Sequence, residues 1–119
     1  MLKLDQAQAI AAAAAAEAAS LGSPVAVAVV DHHGAIVLAV RLDGAKRTCL
    51  SVARTKAETA ATAAEQTEYL AHPDWLTSLS GGLPIHLSGR LAGGVGVSGA
   101  QPEVNERVAR AGLAVLASL

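Results

Sequence analysis

Lys56 is the residue whose setting most invites chemistry. In "SVARTKAETAA" its helical neighbours at i−4, i−3 and i+4 are Val52, Ala53 and Ala60, so its stem lies along an apolar stripe. A partly desolvated amine holds its proton less tightly and becomes a usable base or an anion ligand. The structural alternative is a lysine whose stem packs while its head reaches water. Arg41 ends the run "AIVLAVRLD" and could grip a carboxylate through two parallel hydrogen bonds. It could equally pair with Asp31 or Asp43 and pin the strand ends.

The four histidines show no metal-ligand spacing. His32 and His33 are adjacent, point different ways in extended backbone, and read as solvent residues of a turn. His86 alternates with Ile85 and Leu87, so it faces either a cleft or solvent. His72 sits in "AHPDWL" beside Trp75, the one tryptophan, which makes that segment a candidate cover for a flat ligand. Cys49 lies near a helix N-terminus after Lys46 and Arg47, where a thiol's pKa can fall. A lone cysteine with no partner base reads instead as a small packing residue.

These groups must be positioned by a small body. At 119 residues the chain is read as one domain, 1–119, with a modest core. Leu4, Ala7, Ile10, Ala14, Ala18 and Leu21 follow helical spacing, with Asp5 and Gln8 spaced as a capping box and Gly22 and Pro24 ending the helix. "PVAVAVVD" (24–31) and "AIVLAVRLD" (35–43) are hairpin partners, apolar on both faces, so both faces of the sheet should be covered. A second helix, about 48–65, carries the stripe Ala53, Ala57, Ala60, Ala61 and Ala64. Pro102 opens a last helix with Val104, Val108, Ala111, Val115 and Leu119 on one side. The order α, β, β, α, β, β, α predicts an α+β protein: an antiparallel sheet of four or five strands with helices packed on it.

"GGLPIHLSGRLAGGVGVSGA" (81–100) reads as the second hairpin, with one arm almost bare. Alternation puts Leu91, Val95 and Val97 on one face, and Ala92, Gly94, Gly96 and Ser98 on the other. Interior glycine marks a close approach to the backbone. The structural reading is the alanine stripe of the second helix lying against that face; the functional one is a ligand groove.

Composition excludes several roles. Net charge is −1 with no basic run, which argues against nucleic acid. One cysteine excludes an intrachain disulfide framework and a cysteine-based zinc site. The alanine tract lacks preceding basic residues and is bracketed by Asp5 and Glu17, so neither export nor a membrane span is expected, and a cytoplasmic location is. A 52% hydrophobic content in so small a domain leaves apolar surface over, and a homo-oligomer is expected.

Four motifs, "VAVAVVDHHGAIVLAVRLDGA", "SVARTKAETAA", "GGLPIHLSGRLAGGVGVSGA" and "ERVARAGLAVL", in this order, resemble the GlcG/HbpS-like haem-binding family, whose domain also forms the C-terminal part of PduO-type cobalamin adenosyltransferases. The resemblance implies a profilin-like fold, oligomeric assembly and, in some members, binding of haem or a related tetrapyrrole. The shared pattern includes Asp31, Gly34, Arg41, Asp43, Lys56, Gly82, Pro84, Gly94, Gly96 and Gly99. Three departures stand out, one being His32 and His33 in the variable hairpin turn, to which no family role carries over. The segment between Thr59 and Gly81 is shorter than usual, and Asn105 stands where an acidic residue is common.

Three readings of function follow. In a haem- or tetrapyrrole-binding protein, Arg41, Lys56, His72, Trp75 and His86 are the candidate cofactor residues, Arg41 for a propionate; haem is the one cofactor implied, with no metal bound directly. In a cofactor-independent isomerase or lyase acting on a small anion, Lys56 is the acid/base and Arg41 the carboxylate anchor. An accessory subunit that binds another protein through its smooth faces is the third reading.

Overall fold

The computed structural model describes residues 1–67 and 80–118. Within them the chain runs α1 (Leu4–Ser20), β1 (Ala26–Asp31), β2 (Ile36–Arg41), α2 (Thr48–Thr67), β3 (Gly82–Leu87), β4 (Arg90–Ser98) and α3 (Pro102–Ala114), then a 3-10 turn, Val115–Ser118. The four strands form one antiparallel sheet in the order β2-β1-β4-β3. The mixed α/β class and the antiparallel sheet agree with the sequence reading.

Alternation along the strands separates two apolar layers. Val25, Val27, Val29, Val95, Val97 and Ile85 face α1 and α3. Ala26, Ala28 and Val30 face α2, whose Ala53, Ala57 and Ala61 lie directly on them. The bare arm of the second hairpin is therefore helix-covered. A Cβ on Gly94 would stand 2.2 Å from the Ala57 carbonyl oxygen, and one on Gly96 2.0 Å from that of Ala53. Both are glycine because the helix backbone occupies the space a side chain would take.

Several local expectations are corrected. Ala92 belongs to the opposite layer, with Val95 and Val97. The β3–β4 register steps from Ile85↔Gly93 to His86↔Leu91, leaving Ala92 as a bulge residue, and the bulge breaks the alternation. The first helix starts at Leu4, where the Gln6 side chain accepts the Lys3 N–H at 2.8 Å; Asp5 lies inside the first turn and Leu4 is exposed. In α3 the buried stripe is Asn105, Val108, Ala109 and Gly112, turned about one residue from the expected one. Gly112 lets α3 pass close to Ile10 of α1, and Asn105 is tied to the Ala100 backbone.

The first hairpin turn shows what Asp31 does. Its Oδ1 accepts the N–H groups of His33 at 2.9 Å and Ala35 at 3.1 Å. Arg41 pairs in register with Ala26, at the other end of β1, so the anticipated Asp31–Arg41 ion pair does not form. His32 and His33 are exposed, with ring centroids 3.9 Å apart.

Candidate ligand-binding site

Lys56 reaches from α2 to the end of β4, where its Nζ donates to the Val97 carbonyl at 2.9 Å. The Val97 N–H in turn donates to the Gly81 carbonyl at 2.8 Å, and the Gly81 N–H donates to Glu106 Oε2 at 2.9 Å. Arg110 holds the other Glu106 oxygen at 2.9 Å. This chain of bonds joins α2, β4, α3 and the residue just before β3. Gly81 has φ +91°, and a Cβ there would crowd the Val97 oxygen and the Asn105 Cβ. Only glycine fits.

Burial lowers the Lys56 pKa from its ordinary value, against the opposing pull of Cys49 and Glu106. The amine is thus half-buried, bonded to Val97 among the described residues, and set beside a backbone kept bare by glycine. Beneath it, Asn105 is 4% exposed and makes a reciprocal pair with Ala100: Oδ1 accepts the Ala100 N–H at 3.1 Å and Nδ2 donates to its carbonyl at 3.0 Å.

His86 stands at the other end of β3. Leu83, Ile85 and Leu87 pack toward α1 and α3, so Gly82, Pro84 and His86 face the side of α2. His86 is exposed. Four residues of strand separate Gly82 from His86, about 13 Å. Between the amine and the imidazole the strand offers only Gly82 and Pro84, a face without a long side chain.

Arg41 is elsewhere. It is exposed at the end of β2, and its register partner Ala26 pairs across β1 with Ser98 of β4. Two strand spacings, about 10 Å, separate its backbone from the Lys56 end of β4. The convergence of Arg41 and Lys56 at one sheet edge is not what the fold builds. Arg41 and Asp43 instead line a cleft of about 510 Å³ between α1 and β2, with Gln8, Ala11, Ala12, Ala15, Leu38, Val40 and Leu42. Cys49 is partly buried near the start of α2, with its Sγ turned toward Gly99. His72 and Trp75 lie outside the described residues.

Glu106 and Gly81 were not singled out by the motif reading. They are 25 positions apart, and no local pattern marks a carboxylate that caps a distant backbone N–H.

The profile of the family described as haem degrading protein HbpS-like matches residues 2–114. The chain belongs to this family. Protein ORFY of Klebsiella pneumoniae superposes with a TM-score of 0.82 at 28% identity, covering 99% of this chain and 92% of that one. HbpS of Streptomyces reticuli, solved as a double mutant, gives 0.77 at 35% identity over 97% and 86%. A PduOC–haem complex gives 0.77 at 26% identity over 95% and 93%. The resemblance carried by the four motifs is thereby borne out, and so is the fold it implied. Among the described residues no helix is long and apolar enough to cross a membrane.

Proposed function

We propose that this chain binds haem or a related tetrapyrrole along the flank formed by α2 and β3. The observation that carries this reading is the placement of Lys56 and His86 on one side of β3, at the two ends of a strand face made of Gly82 and Pro84. Membership of the HbpS-like family and likeness to a PduOC–haem complex support it. The residues present fit the group. Gly82 and Pro84 put no long side chain on that face, the Lys56 ammonium suits a propionate, and the exposed His86 imidazole suits iron.

Bound haem would supply a redox-active iron. The chain's own residues have three tasks. Lys56 holds a positive charge at a fixed point, because Val97 anchors its Nζ. The Glu106–Gly81 bond sets where β3 begins and so where His86 is placed. Arg110 holds the second Glu106 oxygen and so fixes the carboxylate that binds Gly81.

Titration of the purified protein with haem, followed at the Soret band, tests the reading. Saturable binding with a band distinct from free haem is expected; a spectrum that stays a sum of protein and free haem refutes it. A second reading, an isomerase or lyase acting on a small anion, is favoured by the lowered Lys56 pKa, which suits a proton carrier. We also propose that the chain self-associates and acts in the cytoplasm, the former from its apolar surplus.

A further inference from the structure

We infer that Asn105 sets the charge of the Lys56 subsite: its neutral amide leaves the ammonium without an ionic partner among the described residues, so that the subsite takes a carboxylate from the ligand. This rests on the α2/β3 site proposed above and adds the residue that decides which charge the site accepts. Asn105 stands in the buried stripe of α3 with Val108, Ala109 and Gly112, a place where an apolar residue is ordinary. It acts through Lys56 and is not itself a ligand contact: at 4% exposure, its amide is spent on the Ala100 backbone.

The place where a Cβ on Gly81 would stand lies 2.9 Å from the Asn105 Cβ and 3.5 Å from the Lys56 Nζ, so the two side chains are neighbours across one glycine. An amide suits both sides of that glycine. Its Oδ1 accepts the Ala100 N–H and its Nδ2 donates to the Ala100 carbonyl, and among the described residues no buried side-chain nitrogen or oxygen is left unsatisfied. A carboxylate of the same shape would keep the first bond, lose the second, and set a negative charge beside the amine. An aliphatic side chain would lose both bonds.

The carboxylate next to Asn105 in the chain is already engaged. Glu106 gives Oε2 to the Gly81 N–H at 2.9 Å and Oε1 to Arg110 at 2.9 Å. The ion pairs among the described residues are Arg54–Glu58, Arg107–Glu17 and Arg110–Glu106, and Lys56 is in none of them. Burial outweighs the pull of Cys49 and Glu106 on its amine, which is held below its ordinary pKa. An ammonium has three N–H donors, of which the Val97 carbonyl takes one. A ligand carboxylate that takes another meets a positive charge in a half-buried setting, where attraction is stronger than in water. With a carboxylate at position 105, the ligand would meet a pair already neutral.

Two variants separate charge from packing: Asn105→Asp adds the charge, and Asn105→Ala removes the Ala100 bonds without adding one. Both are measured at a temperature where circular dichroism shows them folded. The Lys56 amine is titrated by NMR of labelled lysine side chains, its signal assigned by loss in Lys56→Ala. Haem is compared at the Soret band with haem dimethyl ester, whose esterified propionates carry no charge. Asn105→Asp should raise the Lys56 pKa by about one pH unit or more, and Asn105→Ala should change it by roughly a few tenths at most. Wild type and Asn105→Ala should bind haem several-fold more tightly than the ester, and Asn105→Asp should bind the two about equally. An unchanged Lys56 pKa in Asn105→Asp overturns the inference whether or not haem binds. So does an Asn105→Ala variant that loses the preference for haem as fully as Asn105→Asp, because the part played by Asn105 would then be structural. A wild type that binds neither compound overturns the α2/β3 site itself, while the Lys56 titration still decides what Asn105 does to the amine.

Discussion

Replacing Gly96 by alanine adds one carbon at the most crowded point between α2 and the sheet. That carbon would stand 2.0 Å from the Ala53 carbonyl oxygen, 2.7 Å from the Ala57 nitrogen and 3.0 Å from the Ala53 carbonyl carbon. Ordinary contact begins near 3.4 Å, so α2 would have to rise by roughly 1.4 Å. All three obstructing atoms are backbone, and no side-chain rotation relieves them. Lifting the helix also loosens Ala53, Ala57 and Ala61 from Ala26, Ala28 and Val30, because the layer is one rigid sandwich of small residues. Overpacking of this kind costs about 1–3 kcal/mol, and a backbone clash belongs at the upper end. For a chain of this length about 3 kcal/mol lowers Tm by roughly 10 °C. Gly96→Val should be worse, and Lys56→Ala, at a half-exposed helical site, milder than either. Thermal unfolding followed by circular dichroism reads the difference. A Gly96→Ala melting curve superimposable on wild type would refute the argument and mean that the face is open.

Other perturbations follow from the same geometry. Asn105→Asp removes the donor to the Ala100 carbonyl at a 4% exposed site and should destabilise the protein by about 1–3 kcal/mol at neutral pH. The deficit should shrink at acid pH, where a protonated carboxyl donates again, and a deficit independent of pH in denaturant melts would contradict this. Asp31→Ala loses the one oxygen that accepts two backbone N–H groups in an exposed turn and should cost about 1 kcal/mol, with Asp31→Asn retaining most of the stability; equal losses for the two would show that the turn bonds contribute nothing. Lys56, held below its ordinary pKa of 10.5 by burial, binds fewer protons folded than unfolded at alkaline pH. Stability relative to Lys56→Met should therefore rise with pH between the lowered pKa and 10.5, measured in a Cys49→Ser background to silence the nearby thiol, and parallel curves would count against it.

The alanine stripe of α2 and the bare face of β4 were legible in the sequence because each is a period, 3.6 in one case and 2 in the other, and small residues facing small residues have one economical packing. The hairpin turns were legible because His32–Gly34 and Ser88–Gly89 carry turn chemistry, with Gly34, Ser88 and Gly89 at positive φ. The side of Ala92 was not legible, since a bulge shifts alternation without leaving a residue-type signature. The phase of α3 was hidden for a related reason: a polar residue, Asn105, takes a core position by satisfying both its amide groups on Ala100. Lys56 was recognisable from its apolar neighbours, whereas its link to Glu106 through Val97 and Gly81 depends on contacts between distant segments. Strand order decides where Arg41 lies. Chain proximity placed it near Lys56, but the insertion of β1 between β2 and β4 puts it on the far edge of the sheet.

A Soret titration comparing wild type with His86→Ala and Lys56→Ala tests most directly whether the α2/β3 flank holds a tetrapyrrole. The two changes should act differently, with both variants folded by circular dichroism. His86→Ala should shift the position of the bound Soret band, because in the proposed site the imidazole would hold the iron. Lys56→Ala should leave the band in place and weaken affinity several-fold, because in the proposed site the amine would hold a propionate. Wild-type spectra and affinities in both variants would contradict the proposed site.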